Sequence, residues 1–258
     1  MIILGKIFHL KASLSEGFDM SFFKKIVAKN RFNPGIIGIF TNPFFIARRG
    51  LFKEIYSLSD QISGKVLDVG CGEKPYESLF KTKEYIGLEY NNTENRAAKK
   101  ADIFYDGKTF PFKSSRFDSV VCNQVLEHVF ESDDFLHEIH RILKPNGKLL
   151  LTVPFIWDEH EQPVDFARYS SFGLKNLLER NGFKVIIQRK SVSNFAVIFQ
   201  LINSYLFKKV SNIPLLKHFC IVFIMSIFNI LGVISSVILP KNNDLYLDNV
   251  ILARRVSK

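Results

Sequence analysis

Short apolar runs alternate with amphipathic stretches through the middle of the chain. Val66–Val69, Tyr85–Tyr90, Ala101–Tyr105, Phe117–Cys122, Lys148–Val153 and Phe183–Gln188 read as buried strands, with Asp248–Ala253 as a candidate seventh. Between them, apolar residues recur three and four apart. A helix is predicted from Phe44 to Ile62, with Ile46, Leu51, Ile55, Leu58 and Ile62 on one stripe. A short helix is expected near Tyr76–Phe80. Ser132 reads as the N-cap of a helix with Phe135, Leu136, Ile139, Ile142 and Leu143 on one face, and Ser171 as the cap of another carrying Leu174, Leu177 and Leu178. This alternation predicts an α/β fold on a parallel sheet.

The pattern changes between the sixth and seventh strands. Residues 195–207 are mostly apolar, Lys208 and Lys209 follow, and Phe219–Leu239 is 21 residues without a charge. That length suffices for a bilayer span, which needs about 20 apolar residues, although Ser226, Asn229, Gly232, Ser235 and Ser236 dilute it. One crossing would put strands six and seven on opposite sides of a membrane. A helical hairpin on one leaflet avoids this; the alternative is a helical cap on the domain or a second subunit. The expected organisation is a helical flank over 1–60, a cofactor-binding core over 61–192, the apolar insert over 193–241, and a last strand within 242–258.

The candidate chemistry begins at VLDVGCG, residues 66–72. Gly70-Cys71-Gly72 forces a tight turn after a strand, with backbone facing the ligand. Seventeen residues beyond Gly72, Glu89 stands at the tip of the next strand, where an acid accepts hydrogen bonds from a ribose diol. A dinucleotide site needs a third glycine and a helix N-terminus for pyrophosphate. Here Glu73, Lys74 and Pro75 follow instead. Asp68 also suits a cationic ligand. The cofactor expected is therefore S-adenosyl-L-methionine, with a ribose and a sulfonium but no phosphate.

Three cysteines, Cys71, Cys122 and Cys220, are too scattered for a disulfide framework or a zinc site, and no metal site is read from the sequence. No leader peptide is read in the first residues, and a reducing cytoplasm is the expected compartment. The net charge of +10 divides as +5 over residues 1–60, −3 over 61–183 and +8 over 184–258. An acidic core argues against a nucleic-acid groove. The basic flanks suit an anionic membrane surface, at the inner face of the membrane, or a phosphate-bearing substrate.

Five motifs in order resemble the class I S-adenosylmethionine-dependent methyltransferases, in their type 11 small-molecule branch: VLDVGCG at 66–72, YIGLEY at 85–90, DGKTFPF at 106–112, FDSVVCNQVLEHV at 117–129 and HEIHRILKPNGKLLLTVP at 137–154. The resemblance covers roughly residues 60–190. It implies a Rossmann-like, doubly wound, mostly parallel seven-stranded sheet with its last strand antiparallel between strands five and six. NPFFIARRGLF at 42–52 and HEQPVDFARYSSFGLKNLLERNGF at 160–183 are similar to methyltransferases of bacterial cell-surface polysaccharide gene clusters. That similarity implies an acceptor hydroxyl on a glycan or a lipid-linked precursor, with a lipid or quinone-like small molecule, or a non-catalytic membrane adaptor, as alternatives.

Within this frame Asp68, Gly70 and Gly72 shape the cofactor turn and Glu89 takes the ribose. Asp106 with Gly107 matches the family's adenine-contacting segment, with Asp102 as competitor, and Asn123 lies where the sulfonium sits. Gln124, Glu127 and His128 follow at the same tip, with His128 read as ordering the loop. His137 and His140 read as structural or surface residues. The long polar loop after the fifth strand supplies acceptor candidates: Trp157, Arg168 and Tyr169 for binding, His160 as general base, and Asp165 beside it.

Overall fold

The computed structural model describes residues 30–98 and 100–256. Residues 1–29, which include half of the expected flank and the stretch read as lacking a leader, lie outside the described residues. The strands are β1 (Ser63–Val69), β2 (Lys81–Tyr90), β3 (Ile103–Tyr105), β4 (Phe117–Asn123), β5 (Leu143–Pro154), β6 (Phe183–Ser191) and β7 (Asp248–Arg255). They form one seven-stranded sheet in the order β3-β2-β1-β4-β5-β7-β6. β1 to β5 pair parallel. β7 runs antiparallel to both β5 and β6, as the family resemblance implies.

Successive strand residues feed opposite faces of the sheet. Leu67, Val120, Leu149, Leu151 and Ile251 lie on one face, under Leu136 and Ile139 of α3 (Ser132–Ile142) and Leu174 and Leu178 of α4 (Ser171–Arg180). Val66, Val121, Leu150, Val250 and Leu252 lie on the other, under Leu51, Ile55 and Leu58 of α1 (Phe45–Leu58). A short α2 (Thr93–Ala98) follows β2. Both faces are sealed, which is why the strands read as continuous apolar runs.

Three local expectations are corrected. No helix forms at Tyr76–Phe80; a single 3₁₀ turn, Glu77–Leu79, stands there. Pro75 removes a donor and β2 starts at Lys81, so there is no length for a helix, and Tyr76 and Phe80 fill the core beneath α1 instead. Ser170, not Ser171, caps α4, its hydroxyl accepting from Gly173 N–H at 3.1 Å. Ser132 does not cap α3 either: Glu131 holds the N-cap position, and the Ser132 hydroxyl meets Val129 O and the Tyr169 hydroxyl.

The insert forms α5 (Ala196–Val210) and α6 (Pro214–Ile238), the latter with a π-helical turn over Cys220–Met225. The residues that dilute its apolar sequence are a docking stripe. Ser226, Asn229, Gly232 and Ser235, each three apart, face inward. Asn229 accepts from Asn203 of α5 at 2.9 Å and donates to Ile39 O at 2.8 Å and Asn42 O at 3.1 Å. Gln200 accepts from Ala47 N–H and donates to Pro43 O. A Cβ at Gly232 would lie 2.4 Å from Ile46 Cδ1, so glycine lets α6 close onto α1. The outer face is apolar: Phe223 is 60% exposed, Ile227 53%, Ile234 47% and Val237 81%. The helix is thus polar inside and apolar outside, the reverse of an ordinary surface helix.

Candidate active site

The C-terminal tips of β1 and β2 build the cofactor crevice. Gly70 (φ 67°) and Gly72 (φ 48°) both lie in the left-handed region. A Cβ at Gly70 would strike Val125 Cγ2 at 2.3 Å, whereas one at Gly72 would meet nothing within 4 Å. Backbone at Gly72 is therefore open to a ligand. The Glu89 carboxylate accepts from Gly72 N–H at 2.9 Å, which brings the expected acid beside the turn. Asp68 is buried beneath it and accepts from the Tyr85 hydroxyl at 2.7 Å. A buried acid under an open glycine turn, with a second acid alongside, fits a cofactor with a cationic end and a ribose. S-adenosylmethionine would lie over Gly70 and Gly72, held by Asp68 and Glu89.

The two adenine-contact candidates separate clearly. Asp102 is committed to the fold, its carboxylate accepting from Gly87 N–H at 2.7 Å and from Lys74 at 2.5 Å. Asp106 is exposed and accepts from the Lys108 and Thr109 N–H groups, with Gly107 in the left-handed region beside Tyr90. At the tip of β4, Asn123 accepts from the Thr152 hydroxyl at 3.3 Å. Gln124 takes a positive φ and bonds Thr152 twice, so β5 holds this tip in place.

Burial pushes the Asp68 carboxyl up to about 7, against the lowering effect of the Tyr85 hydrogen bond. Burial likewise pushes Asp248, bonded to the Ser191 hydroxyl at the head of β7, up to about 6. Both keep a proton in the fold at pH values where the unfolded chain has lost it. Stability should therefore fall as pH rises from about 4 to about 7 through Asp68 and to about 6 through Asp248, by up to about 1.4 kcal/mol per pH unit for each group. His160, whose pKa burial lowers, opposes this near its ordinary value of 6.5. Urea unfolding between pH 5 and 7 should show the decline, and Asp68→Asn should make it shallower. An unchanged slope in that variant would remove Asp68 from this account.

The side expected to receive the acceptor is built from the loop after β5 and the tip of β4. His160 Nδ1 lies 3.2 Å from Asp165 Oδ2, and its ring stands edge-on to His128 at 4.8 Å. Arg168 forks onto Asp165 with two contacts of 2.6 Å, which hold that carboxyl well below the usual carboxylate range. Arg168 also bonds the Trp157, Ala167 and Asp158 carbonyls. Its fork is thus engaged in shaping the loop, although Arg168 is expected from the sequence to bind the acceptor. The Tyr169 hydroxyl points to Ser132 at 2.8 Å, and Trp157 packs on Phe44 at 5.9 Å, which packs in turn on Phe207 of α5 at 5.0 Å. His137 is exposed, and His140 meets Val256 O at 3.3 Å with its ring against Phe183.

Sequence reasoning missed two features. Glu127 is completely buried, no other described residue donates to either of its carboxylate oxygens, and burial pushes it up to about 8. The insert also reaches the site: Ser204 donates to Asp158 at 3.1 Å and Lys208 pairs with it at 2.7 Å. Asp158, Leu201, Ser204, Tyr205, Lys208 and Lys209 line a cleft of about 430 Å³ between the loop and α5. The charge pair Lys208-Lys209 was visible in the sequence, but nothing there tied it to Asp158.

Residues 46–188 match the family model described as a methyltransferase domain. A protein of Methanocaldococcus jannaschii, MJ0638, is 37% identical over 109 residues, which are 40% of this chain and 48% of that protein. A "probable S-adenosylmethionine-dependent methyltransferase" of Mycolicibacterium smegmatis is 28% identical over 50% of this chain and 55% of its own length. The chain thus spans about half the length of these two relatives. O-methyltransferase rstn1 of Aspergillus nomiae is 25% identical over 55% of this chain and 74% of its own. Among solved structures, an S-adenosylmethionine-dependent methyltransferase from Mesorhizobium loti superposes with a TM-score of 0.50 at 14% identity, covering 80% of this chain and 98% of that one. The Haemonchus contortus phosphoethanolamine N-methyltransferase 2, in complex with S-adenosylhomocysteine, gives 0.52 at 18% identity over 90% and 57%. With the crevice of Asp68, Gly72 and Glu89 in place, the conclusion is that the chain belongs to the methyltransferase-domain family and that residues 46–188 form an S-adenosylmethionine-dependent methyltransferase domain.

Proposed function

We propose that the protein methylates a sugar hydroxyl on a lipid-linked, phosphate-bearing precursor of a surface glycan, at the inner face of the membrane. The observation that carries this reading is the cleft shared by the catalytic loop and the insert, with Lys208 and Lys209 at its wall and the apolar outer face of α6 in the same helical unit. The lysines suit a phosphate. Exposed Phe223, Ile227, Ile234 and Val237 suit the acyl region of a leaflet, and the +8 over residues 184–258 suits its anionic headgroups.

When bound, S-adenosylmethionine supplies a methyl group on a sulfonium, a strong leaving group. The protein's own work is then to position an oxygen and remove its proton. Asp68, Glu89 and the Gly70–Gly72 turn hold the cofactor end. The cluster of Glu127, His128 and His160 receives the hydroxyl, with the His160 ring oriented by Asp165 and Asp165 fixed by Arg168. One relative carries the name O-methyltransferase, which agrees with an oxygen acceptor.

The test is transfer of labelled methyl groups to bacterial lipid extract, to soluble oligosaccharides and to quinones. Label should enter the organic phase and move to water after mild acid cleaves sugar phosphates. Label that stays with the lipid after acid would favour a lipid or quinone acceptor. Label found only in soluble oligosaccharide would refute the lipid-linked class.

A further inference from the structure

We infer that Glu127, His128 and His160 form a site for a divalent transition-metal ion. One ligand atom from each lies within 4.8 Å of the other two. His128 Nε2 is 3.8 Å from Glu127 Oε1; tetrahedral ligands about 2.1 Å from a shared ion stand about 3.4 Å apart, so this pair need close by only about 0.4 Å and the widest by at most about 1.4 Å.

Glu127 is the decisive residue. It is fully buried at the β4 tip, and neither oxygen has a donor from any other described residue. A carboxylate left so is costly unless a cation or proton satisfies it. Its backbone carbonyl accepts from Phe166 N–H at 2.8 Å and Ala167 N–H at 3.2 Å, which binds the β4 tip to the acceptor loop and aims the side chain between them.

The two imidazoles are held as metal-ligating histidines are, through the nitrogen away from the ion. His128 Nδ1 meets Val164 O at 2.8 Å, which leaves Nε2 toward Glu127. His160 Nδ1 meets Asp165 at 3.2 Å and Asp158 O at 3.3 Å, which leaves its Nε2 as the lone-pair nitrogen. Glu161, 71% exposed, reaches within 3.8 Å of His128 Nε2 from the solvent side, where a fourth ligand or a water belongs. Among the described residues the opposing charge is Arg168, whose guanidinium is neutralised by its two contacts with Asp165. Two nitrogens and one carboxylate oxygen select zinc, manganese, cobalt or iron(II) over calcium. Three protein ligands with an open position is the arrangement of a catalytic ion rather than a structural one.

The ion's role rests on the hydroxyl reading above, although its binding does not. The acceptor oxygen takes the open position, which raises its acidity. Its O–H proton passes to solvent, the oxygen's freed electron pair forms the new bond to the methyl carbon, and the carbon–sulfur bond breaks with its pair going to sulfur, leaving S-adenosylhomocysteine.

The experiment uses the full, untagged protein, stripped with EDTA. Mn²⁺ binding is followed by electron paramagnetic resonance and Co²⁺ binding by visible absorption, with S-adenosylhomocysteine titrated in parallel to show that each variant is folded. We expect one saturable Mn²⁺ per chain and ligand-field bands with Co²⁺. Glu127→Gln and His160→Ala should each weaken Mn²⁺ binding at least tenfold, and His137→Ala on the exposed face of α3 should leave it unchanged. No saturable binding by the wild type would overturn the site. So would Glu127→Gln and His160→Ala proteins that bind the ion as the wild type does.

Discussion

His160→Ala is expected to cut turnover by about 10²–10⁴-fold while leaving S-adenosylhomocysteine affinity nearly unchanged. The effect is large because His160 stands between the loop and the β4 tip, where the acceptor is proposed to arrive. Its contacts run to Asp165, Asp158, Arg168 and His128, and none of them touches Asp68, Gly72 or Glu89. The substitution therefore separates hydroxyl activation from cofactor binding. It acts whether the imidazole takes the proton itself or holds an ion that acidifies the hydroxyl. Single-turnover rates on the wild type and the variant measure it directly. A near-normal rate would reduce His160 to loop scaffolding and move the chemistry to Glu127 and His128.

A fourfold serine replacement at Phe223, Ile227, Ile234 and Val237 should release the protein from anionic vesicles. Removing the whole insert is the blunter test, because it would strip Ala47 N–H and the Ile39, Asn42 and Pro43 carbonyls of their partners Asn229 and Gln200. The four side chains chosen are all outside that network and mostly solvent-facing. Each contributes about 1 kcal/mol of burial in a leaflet, so together they are worth about 10³-fold in partitioning. Co-sedimentation with anionic vesicles should be strong and salt-sensitive for the wild type and absent for the variant, with S-adenosylhomocysteine binding retained by both. Failure of the wild type to sediment would assign the apolar face to a second copy of the chain or another protein.

The order of strands and helices was legible because each strand is short, apolar and followed by a turn residue, and the antiparallel β7 followed from the family resemblance. What failed was local. The expected helix at Tyr76–Phe80 ignored how little chain remains between Pro75 and Lys81. The serine caps slipped because Ser170 and Ser171 are chemically equal, and only the backbone decides which hydroxyl meets Gly173 N–H. The meeting of Asp68, Gly72 and Glu89 at neighbouring strand tips was legible because glycine conformation and strand-tip position are written in the sequence. Glu127 was not, since a glutamate beside a histidine at a strand tip looks solvated until burial is known. The small polar residues of α6 misled for a related reason. Ser226, Asn229, Gly232 and Ser235 weaken an average hydropathy, yet their spacing of three makes them one continuous edge.

The insert leaves the sheet after Ser191 and returns at Asp248, and these two residues are paired neighbours on adjacent strands. The chain of the insert therefore joins the sheet at a single point on its margin, at the C-terminal end of the parallel strands, while Asn229, Gln200 and Gly232 dock its helices on residues 39–47. For an acceptor carried in a leaflet, this geometry turns the search for substrate into lateral diffusion within a plane. The rate should then follow the mole fraction of acceptor in a mixed micelle or vesicle and fall on dilution with inert lipid, even when the bulk concentration of acceptor is held constant.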